Sequence, residues 1–302
     1  MGPILSVTSP IFLVIALGFL AVRFGLFGPT DARALGAFVL RFAMPAVIFN
    51  ALSRRPLAEI ADARLLGAYA GASLIAFAAL FALFARGERA RAAMRALGGA
   101  SPNSGFVGFP VAALLVGPKA TIALALCLIV ENVVTIPIAL ALAESGSAER
   151  KMGLSELIGR LARNPLMIAI ALGLIASLAG LAPPAPVGRA IDLMAVAAPG
   201  AALFAIGGGL VGLDFRADLR EIAPVAAVKL ALHPLALLAL VRLAGPSDPE
   251  VARAMLVMAS APVFSIYPLI CRQFAQERAG AAILLVETAL AFPTMSAWAL
   301  VF

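Results

Sequence analysis

Residues 98–110 read GGASPNSGFVGFP and lie inside an apolar run that extends from about residue 94 to residue 116. Proline lacks the backbone N–H that a helix needs and glycine weakens a helix, so Pro102, Pro110 and the glycines beside them predict an interruption. Three polar side chains in the stretch can satisfy the freed backbone groups: Ser101, Asn103 and Ser104. Unwound backbone is tolerated at membrane depth only against protein or a wet cavity. The stretch therefore indicates a membrane helix that is broken for a functional reason.

The composition is that of an integral membrane protein. Of 302 residues, 63% are hydrophobic and 13% are charged, and the mean hydropathy is +1.04. A soluble domain is nearer half apolar and a quarter charged, and a disordered chain lacks the large aliphatic residues that fill this one. Cys127 and Cys271 lie in apolar runs and build no disulfide or zinc framework. The net charge of +7 is scattered over short loops, which argues against a nucleic-acid partner and agrees with contact to membrane lipid.

The apolar runs predict ten transmembrane helices, because a span needs about 20 residues and the runs are continuous rather than alternating. The predicted spans, numbered 1 to 10 in chain order, lie at about 6–27, 34–53, 65–85, 94–116, 120–143, 164–181, 190–213, 221–243, 251–271 and 279–302. The fold class that we expect is an all-α membrane protein.

The loop charges predict the orientation in the membrane. The loops after odd-numbered spans carry 14 lysines and arginines, and the opposite face carries 7. Cytoplasmic loops hold the excess of positive charge. We therefore expect both termini outside the cell, and the longest loop, 144–163, in the cytoplasm beneath the inner membrane.

The chain contains an internal repeat with an offset of about 155 residues. Four matches occur in the same order: Pro10 with Gly18 and Pro165 with Gly173, Pro45 and Pro199, Pro102 with Pro110 and Pro262 with Pro268, and Glu131 with Pro137 and Glu287 with Pro293. Residues 1–143 and 164–302 thus form two repeats of five spans. Five is odd, so the second repeat enters the membrane from the opposite side, which is typical of secondary transporters.

Span 9 carries the second interruption, at 260–268, which reads SAPVFSIYP. Paired interrupted spans in inverted repeats indicate a substrate site where the two breaks cross near the middle of the membrane. The candidate substrate-binding residues are Asn103, Ser101, Ser104, Gly105, Pro110, Pro262, Ser265, Tyr267, Arg41 and Asn132. The alternative is that both breaks are ordinary proline kinks filled by nearby serine hydroxyls.

Five acidic, basic or histidine residues lie deep inside predicted spans, at least seven positions from either end, where a charge is costly and is a functional candidate by default. They are Arg41, Lys229, His233, Glu131 and Glu287. The two cations and two carboxylates could simply neutralise one another. The functional interpretation is that Arg41 or Lys229 attracts an anionic substrate while a carboxylate carries a coupling proton or sodium ion. We expect His233 to bond within the bundle.

These motifs resemble the auxin efflux carrier family, including its bacterial members of the malonate-carrier type. The resemblance rests on Arg41 to Pro45 with Phe49, on 102–110, on Asn164-Pro165, on Pro199 followed by Phe204 to Gly207, and on Lys229 with Pro234. It covers nearly the whole chain. The long hydrophilic loop of the plant carriers is absent, so a small carboxylate is the expected substrate.

The resemblance implies a fold similar to the sodium/bile-acid symporters and sodium/proton antiporters. Spans 1, 2, 6 and 7 would form a scaffold, and spans 3–5 and 8–10 a transport domain that moves past it. The resemblance also implies a homodimer and makes Asn103 a substrate ligand. No cofactor or metal is expected.

Two alternatives remain open from the residues. One is a sodium or proton antiporter or symporter of the same fold, although 98–110 and 260–268 contain no acidic residue. The other is an intramembrane enzyme, which the single histidine and the absence of protease or hydrolase motifs disfavour.

Overall fold

The structure is a computed structural model that describes residues 2–54, 62–144, 154–212, 219–245 and 247–301. Within these ranges the chain is helical and has no sheet; its one isolated bridge joins Pro102 to Val263. The prediction of an all-helical membrane protein is thereby confirmed for the part of the chain that is described.

The described ranges contain sixteen α-helices. They are α1 (Gly2–Arg23), α2 (Pro29–Phe38), α3 (Met44–Ser53), α4 (Ala63–Phe84), α5 (Arg89–Ala100), α6 (Phe109–Val116), α7 (Ala120–Val130), α8 (Ile136–Glu144), α9 (Leu154–Arg163), α10 (Pro165–Ala179), α11 (Ala185–Gly209), α12 (Leu219–Ala227), α13 (His233–Ala244), α14 (Pro249–Ala259), α15 (Tyr267–Arg272) and α16 (Glu277–Trp298).

Six continuous helical segments are long and apolar enough to cross a membrane. They are Pro29–Asn50, Ala63–Phe84, Ser104–Glu144, Ala185–Gly209, Leu219–Ala244 and Glu277–Trp298. Leu13–Arg23 and Pro165–Ala179 are shorter apolar helices. Ten spans in two inverted repeats therefore stay a prediction.

Four of the spans contain a wide π-turn, and each π-turn ends two residues before a proline. The π-turns are Val39–Ala43 before Pro45, Ser104–Gly108 before Pro110, Glu131–Thr135 before Pro137 and Val228–Leu232 before Pro234. A proline ring clashes with the carbonyl four residues earlier, and a wider turn relieves the clash. Before Pro234 that carbonyl is Leu230 O, which accepts a hydrogen bond from Trp298 Nε1 at 2.9 Å.

Glycines allow α1 and α11 to approach at backbone contact. A Cβ atom on Gly207 would lie 1.9 Å from Ile15 O, and one on Gly18 would lie 2.1 Å from Phe204 O. No real side chain fits at such distances. Small residues at helix interfaces matter in a membrane because close van der Waals packing, rather than the hydrophobic effect, holds helices together there.

The helices α10 and α3 pack in the same way, through Gly173 of the second predicted repeat. A Cβ atom on Gly173 would lie 2.8 Å from Leu52 Cβ and 3.5 Å from Phe49 Cα. Gly18 and Gly173 occupy matching places in the sequence repeat. Each of the two glycines thus packs against a helix that belongs to the other half of the chain.

Two apolar cores lie on either side of the interrupted segments. The first contains Ile48 of α3, Leu124 of α7 and Met255 of α14. The second contains Leu97 of α5 and Ile283 of α16. The segment between α14 and α15 runs from one core to the other, with Ala261 in the first and Val263 in the second.

The predicted loop 144–163 contains a helix. Residues 145–153 lie outside the described residues, and α9 covers Leu154–Arg163. Asn164 then caps α10, because its Oδ1 accepts a hydrogen bond from the Leu166 amide at 2.9 Å. The predicted connection is therefore partly helical, and the leucines and arginines of these ten residues recur with the period of an amphipathic helix.

Candidate functional site

The two segments that the sequence predicts to be interrupted lie against each other. The α5 helix ends at Ala100 and helical structure resumes at Ser104; α14 ends at Ala259 and α15 begins at Tyr267. Between these ends, the Asn103 amide donates to Pro262 O at 2.6 Å, and Asn103 Nδ2 donates to Ser265 Oγ at 2.9 Å. Backbone from both halves of the chain is therefore joined through one asparagine.

Asn103 also begins the helical segment that follows it. Its side-chain Oδ1 accepts from the Phe106 amide at 3.2 Å, and its carbonyl accepts from the Val107 and Gly108 amides. The residue is 3% exposed. Because a helix N-terminus carries partial positive charge, this segment offers a favourable environment to an anion. An asparagine amide has two hydrogens, and the contacts among the described residues use one of them.

A buried carboxylate supports each interrupted segment. Glu131 Oε1 accepts from Ser104 Oγ at 2.5 Å and from Tyr69 Oη at 2.8 Å. Glu287 Oε2 accepts from the Val263 amide at 2.7 Å, whereas its buried Oε1 has no hydrogen-bond partner among the described residues. Each glutamate thus holds the interruption of its own predicted repeat, which the sequence positions of the glutamates did not reveal.

Lys229 is fully buried at the end of α14. Its Nζ donates to Ala259 O at 2.6 Å and lies 2.9 Å from His233 Nδ1. A cation is stabilised at a helix C-terminus, where carbonyl groups lack partners. On the other side of the ring, His233 Nε2 lies 3.2 Å from Ser73 Oγ. The expectation that His233 bonds within the bundle agrees with these contacts.

The sequence left open that the cations and carboxylates neutralise one another directly. The contacts of Lys229 do not show such a pairing. Among the described residues, neither glutamate forms an ion pair with Lys229. Arg41 is exposed on the π-turn between α2 and α3, unlike the buried lysine. The five intramembrane ionisable residues therefore divide into four buried groups around the interruptions and one exposed arginine.

Two candidate substrate ligands have their polar atoms engaged elsewhere. Tyr267 is fully buried, and its hydroxyl donates to Met94 O at 2.7 Å. Asn132 is half-buried; its Nδ2 donates to Leu128 O at 2.9 Å, and its Oδ1 accepts from Asn164 Nδ2 at 3.0 Å. These contacts connect helices to one another. The candidate substrate ligands at the interrupted segments are therefore the other residues.

The remaining candidates lie along the two interruptions. Ser101 is fully buried with a hydroxyl that has no partner in the described part of the chain. Pro110 and Pro262 are buried, while Gly105 and Ser265 are half-buried. A Cβ atom on Gly105 would lie 3.6 Å from Met44 Cε. Gly105 and Ser265 are thus the more accessible positions beside Asn103.

Sequence reasoning missed several buried polar residues. Tyr69 and Ser73 are one turn apart on α4 and contact Glu131 and His233 respectively. Two hydroxyl side chains four residues apart in an apolar span were the signal that could have identified them. Arg95, at the start of predicted span 4, was not singled out either, and it is 1% exposed within α5.

Comparison with known proteins gives one consistent result. A family model described as membrane transport protein matches residues 3–299. The chain is 32% identical over 305 residues to a protein of Rhizobium meliloti (strain 1021) named "Putative malonate transporter", covering 98% of this chain and 95% of that one. It is 34% identical over 290 residues to "Uncharacterized transporter YfdV" of Escherichia coli (strain K12), covering 92% and 91% of the two chains.

Proposed function

The chain belongs to the membrane transport protein family, and from that premise we propose that it is a secondary active carrier for a small organic anion. It is an integral membrane transporter and not an enzyme, as the sequence predicted. The single observation that carries the proposal is the junction of the two interrupted segments through Asn103.

A small dicarboxylate is the substrate class that we propose. The relative from Rhizobium meliloti bears the name of a malonate transporter. The N-terminal end of the segment at Ser104 favours a negative charge, and the second hydrogen of Asn103 Nδ2 can donate to a carboxylate. Gly105 and Ser265, which border this position, are half-buried.

The proposed mechanism is of the elevator type. Spans 3–5 and 8–10 would move as one body past a scaffold of spans 1, 2, 6 and 7. Matched contacts in the two halves support inverted repeats: Gly18 packs on Phe204 as Gly173 packs on Phe49, and Glu131 holds one interruption as Glu287 holds the other. We also propose the homodimer, both termini outside the inner membrane, and coupling to protons or sodium.

Transport of malonate by proteoliposomes tests the proposal. Asn103→Ala removes the side-chain bond of the junction, from Nδ2 to Ser265 Oγ, and the unused Nδ2 donor, while the backbone bond to Pro262 O remains. A hydrogen bond to a charged group contributes about 1.5–3 kcal/mol, so we expect uptake to fall about 10- to 100-fold. The matched control is Asn50→Ala, which removes an asparagine whose Nδ2 bonds Asp192 outside the interruptions. Both variants should elute as folded dimers. Uptake by Asn103→Ala at the unmodified rate would refute the assignment.

The second candidate is a sodium or proton antiporter or symporter. It gains support from the contacts of Glu131 and Glu287, because these bring a carboxylate to each interruption although 98–110 and 260–268 contain none. Counterflow of sodium or protons in vesicles that hold no organic anion would favour this candidate. Ion flux that appears only with a dicarboxylate would favour the carrier.

A further inference from the structure

We propose a second anion site, distinct from the interruptions, in a cavity of about 420 Å³ at the N-terminal end of α16. Its walls include Arg95, Arg272 and Arg278 and the carboxylates of Glu221 and Glu277. By sequence this is the predicted cytoplasmic end of the transport domain. Arg95 is six residues before Ser101 on α5, about 9 Å along the helix axis, so the cavity is separate from the proposed substrate site.

The residues that line this cavity carry three positive and two negative charges. Arg95 has a side chain that is 2% exposed, and it donates to Glu221 Oε2 through Nε at 3.3 Å and through Nη2 at 2.7 Å. Arg91 binds the other oxygen of the same carboxylate. Two guanidinium groups therefore share one carboxylate. Among the described residues, the other hydrogen-bond partner of Arg95 is neutral, Gln276 Oε1 at 3.1 Å.

Arg95 also keeps an unused donor. Its buried Nη1 has no hydrogen-bond partner among the described residues. A buried guanidinium donor without an acceptor is costly, because it loses water and gains nothing in exchange. A small anion in the cavity that Arg95 lines would supply both the missing charge and an acceptor.

The helix α16 adds backbone donors at the same place. Its 22 residues begin after Gln276, whose side chain makes no capping hydrogen bond. The first bond of this helix runs from the Gly280 amide to Gln276 O at 2.9 Å, so the amides of Glu277, Arg278 and Ala279 have no acceptor within the helix. All three residues line the cavity.

The exposed side chains complete a site for a small oxyanion. Arg272 is held loosely by Glu277, with 3.9 Å between Nε and Oε2, and Arg278 follows Glu277 on the first turn. Planar guanidinium groups and free amides are the donors that recognise phosphate and carboxylate oxygens. The ligand class is therefore a small oxyanion, whether free phosphate, the headgroup of an anionic lipid or a carboxylate.

Thermal unfolding of the purified protein in a neutral detergent tests this site. Cys127 and Cys271 are buried, so a thiol-reactive dye reports unfolding. Sodium phosphate should raise Tm by about 4 °C or more at saturation, relative to sodium chloride of equal ionic strength and pH. Arg278→Gln and Arg272→Gln should each weaken the apparent affinity about tenfold. The matched control is Arg33→Gln, an exposed arginine near the start of α2, which should respond like the unmodified protein.

The same assay separates this proposal from the proposed transport function. In an Asn103→Ala background the phosphate shift should persist, even if malonate transport is lost. A shift from phosphatidylglycerol in mixed micelles but not from free phosphate would assign the oxyanion to a lipid, and a shift from malonate alone that Arg278→Gln removes would assign it to a carboxylate. The site is refuted if none of the three ligands raises Tm beyond chloride, or if Arg272→Gln and Arg278→Gln leave every shift unchanged.

Discussion

The contact between α1 and α11 makes a quantitative prediction for Gly207→Ala. The added Cβ would lie 1.9 Å from Ile15 O and 2.8 Å from Phe19 N. Both are backbone atoms, so no side chain can rotate to make room, and the two helices must separate by about 1 Å or more. The glycine pair that sets the closest approach of these helices would be lost.

The energetic cost follows from two opposing effects. Overpacking costs about 1–3 kcal/mol, and the upper end applies where the clash is with backbone. Replacing a helical glycine with alanine returns about 1 kcal/mol of helix propensity. The net loss is about 2 kcal/mol, which corresponds to a fall in Tm of about 3 °C for a chain of this size.

Gly200→Ala in the same helix is the matched control. A Cβ atom on Gly200 would meet nothing within 4 Å, so this variant should gain up to about 1 kcal/mol. The measurement is the Tm of both variants by thiol-dye fluorescence, followed by size-exclusion chromatography. Equal Tm values for Gly207→Ala and Gly200→Ala would show that the backbone contact of α1 with α11 does not determine stability.

Three further predictions follow from single sites. Asp248→Ala should cost about 1 kcal/mol in thermal stability, because Asp248 Oδ1 caps α14, whereas Asp248→Asn should keep most of the cap and lose the ion pair with Lys119. Partial burial would raise the pKa of Asp248, but hydrogen bonds from Lys119 and from two backbone amides hold this pKa below its usual value in the folded protein. The ionised carboxylate therefore stabilises the fold at pH values above the pKa of the unfolded chain, and this stabilisation is lost as the pH falls through the pKa of the folded protein. Unfolding curves at several pH values measure this loss. Ala275→Gly should raise stability by about 1 kcal/mol, since Ala275 has φ of 55°; an unchanged Tm would mean that this backbone is not strained. Glu131→Gln should fold, because the amide oxygen of glutamine still accepts hydrogen bonds from the two hydroxyls. If the Glu131 carboxylate carries the coupling proton, transport by this variant should no longer depend on pH. An unaltered pH profile would assign the coupling to another group.

The helical structure was predictable because membrane helices can be recognised from the sequence alone. Long apolar runs must satisfy their backbone hydrogen bonds internally, so helices follow directly from composition. The break at Pro102 and the break at Pro262 were predictable for the same kind of reason, since each proline removes a donor from its own helix. The helix Leu154–Arg163 was not predicted, because its charged residues exclude it from the long apolar runs that define the spans.

The candidate site residues stay a prediction. Polar groups are costly in a membrane and stand out from an apolar background, which is why the sequence drew attention to Asn103, Ser104, Glu131, Lys229 and Glu287. The residues that bind them did not stand out equally: hydroxyl groups are common in such helices, and an arginine near a helix end looks like a loop charge until its surroundings are known. Their partners depend on which faces of distant helices meet.

The sequence alone determined that this protein is an integral membrane transporter with two broken segments, because those properties depend on local backbone chemistry and hydropathy. Only the tertiary structure decided that Asn103 joins the two breaks, that each glutamate supports one of them, and that Lys229 bonds the end of α14. These contacts connect residues that are between 24 and 162 positions apart, and their geometry follows from how glycines and prolines allow whole helices to pack.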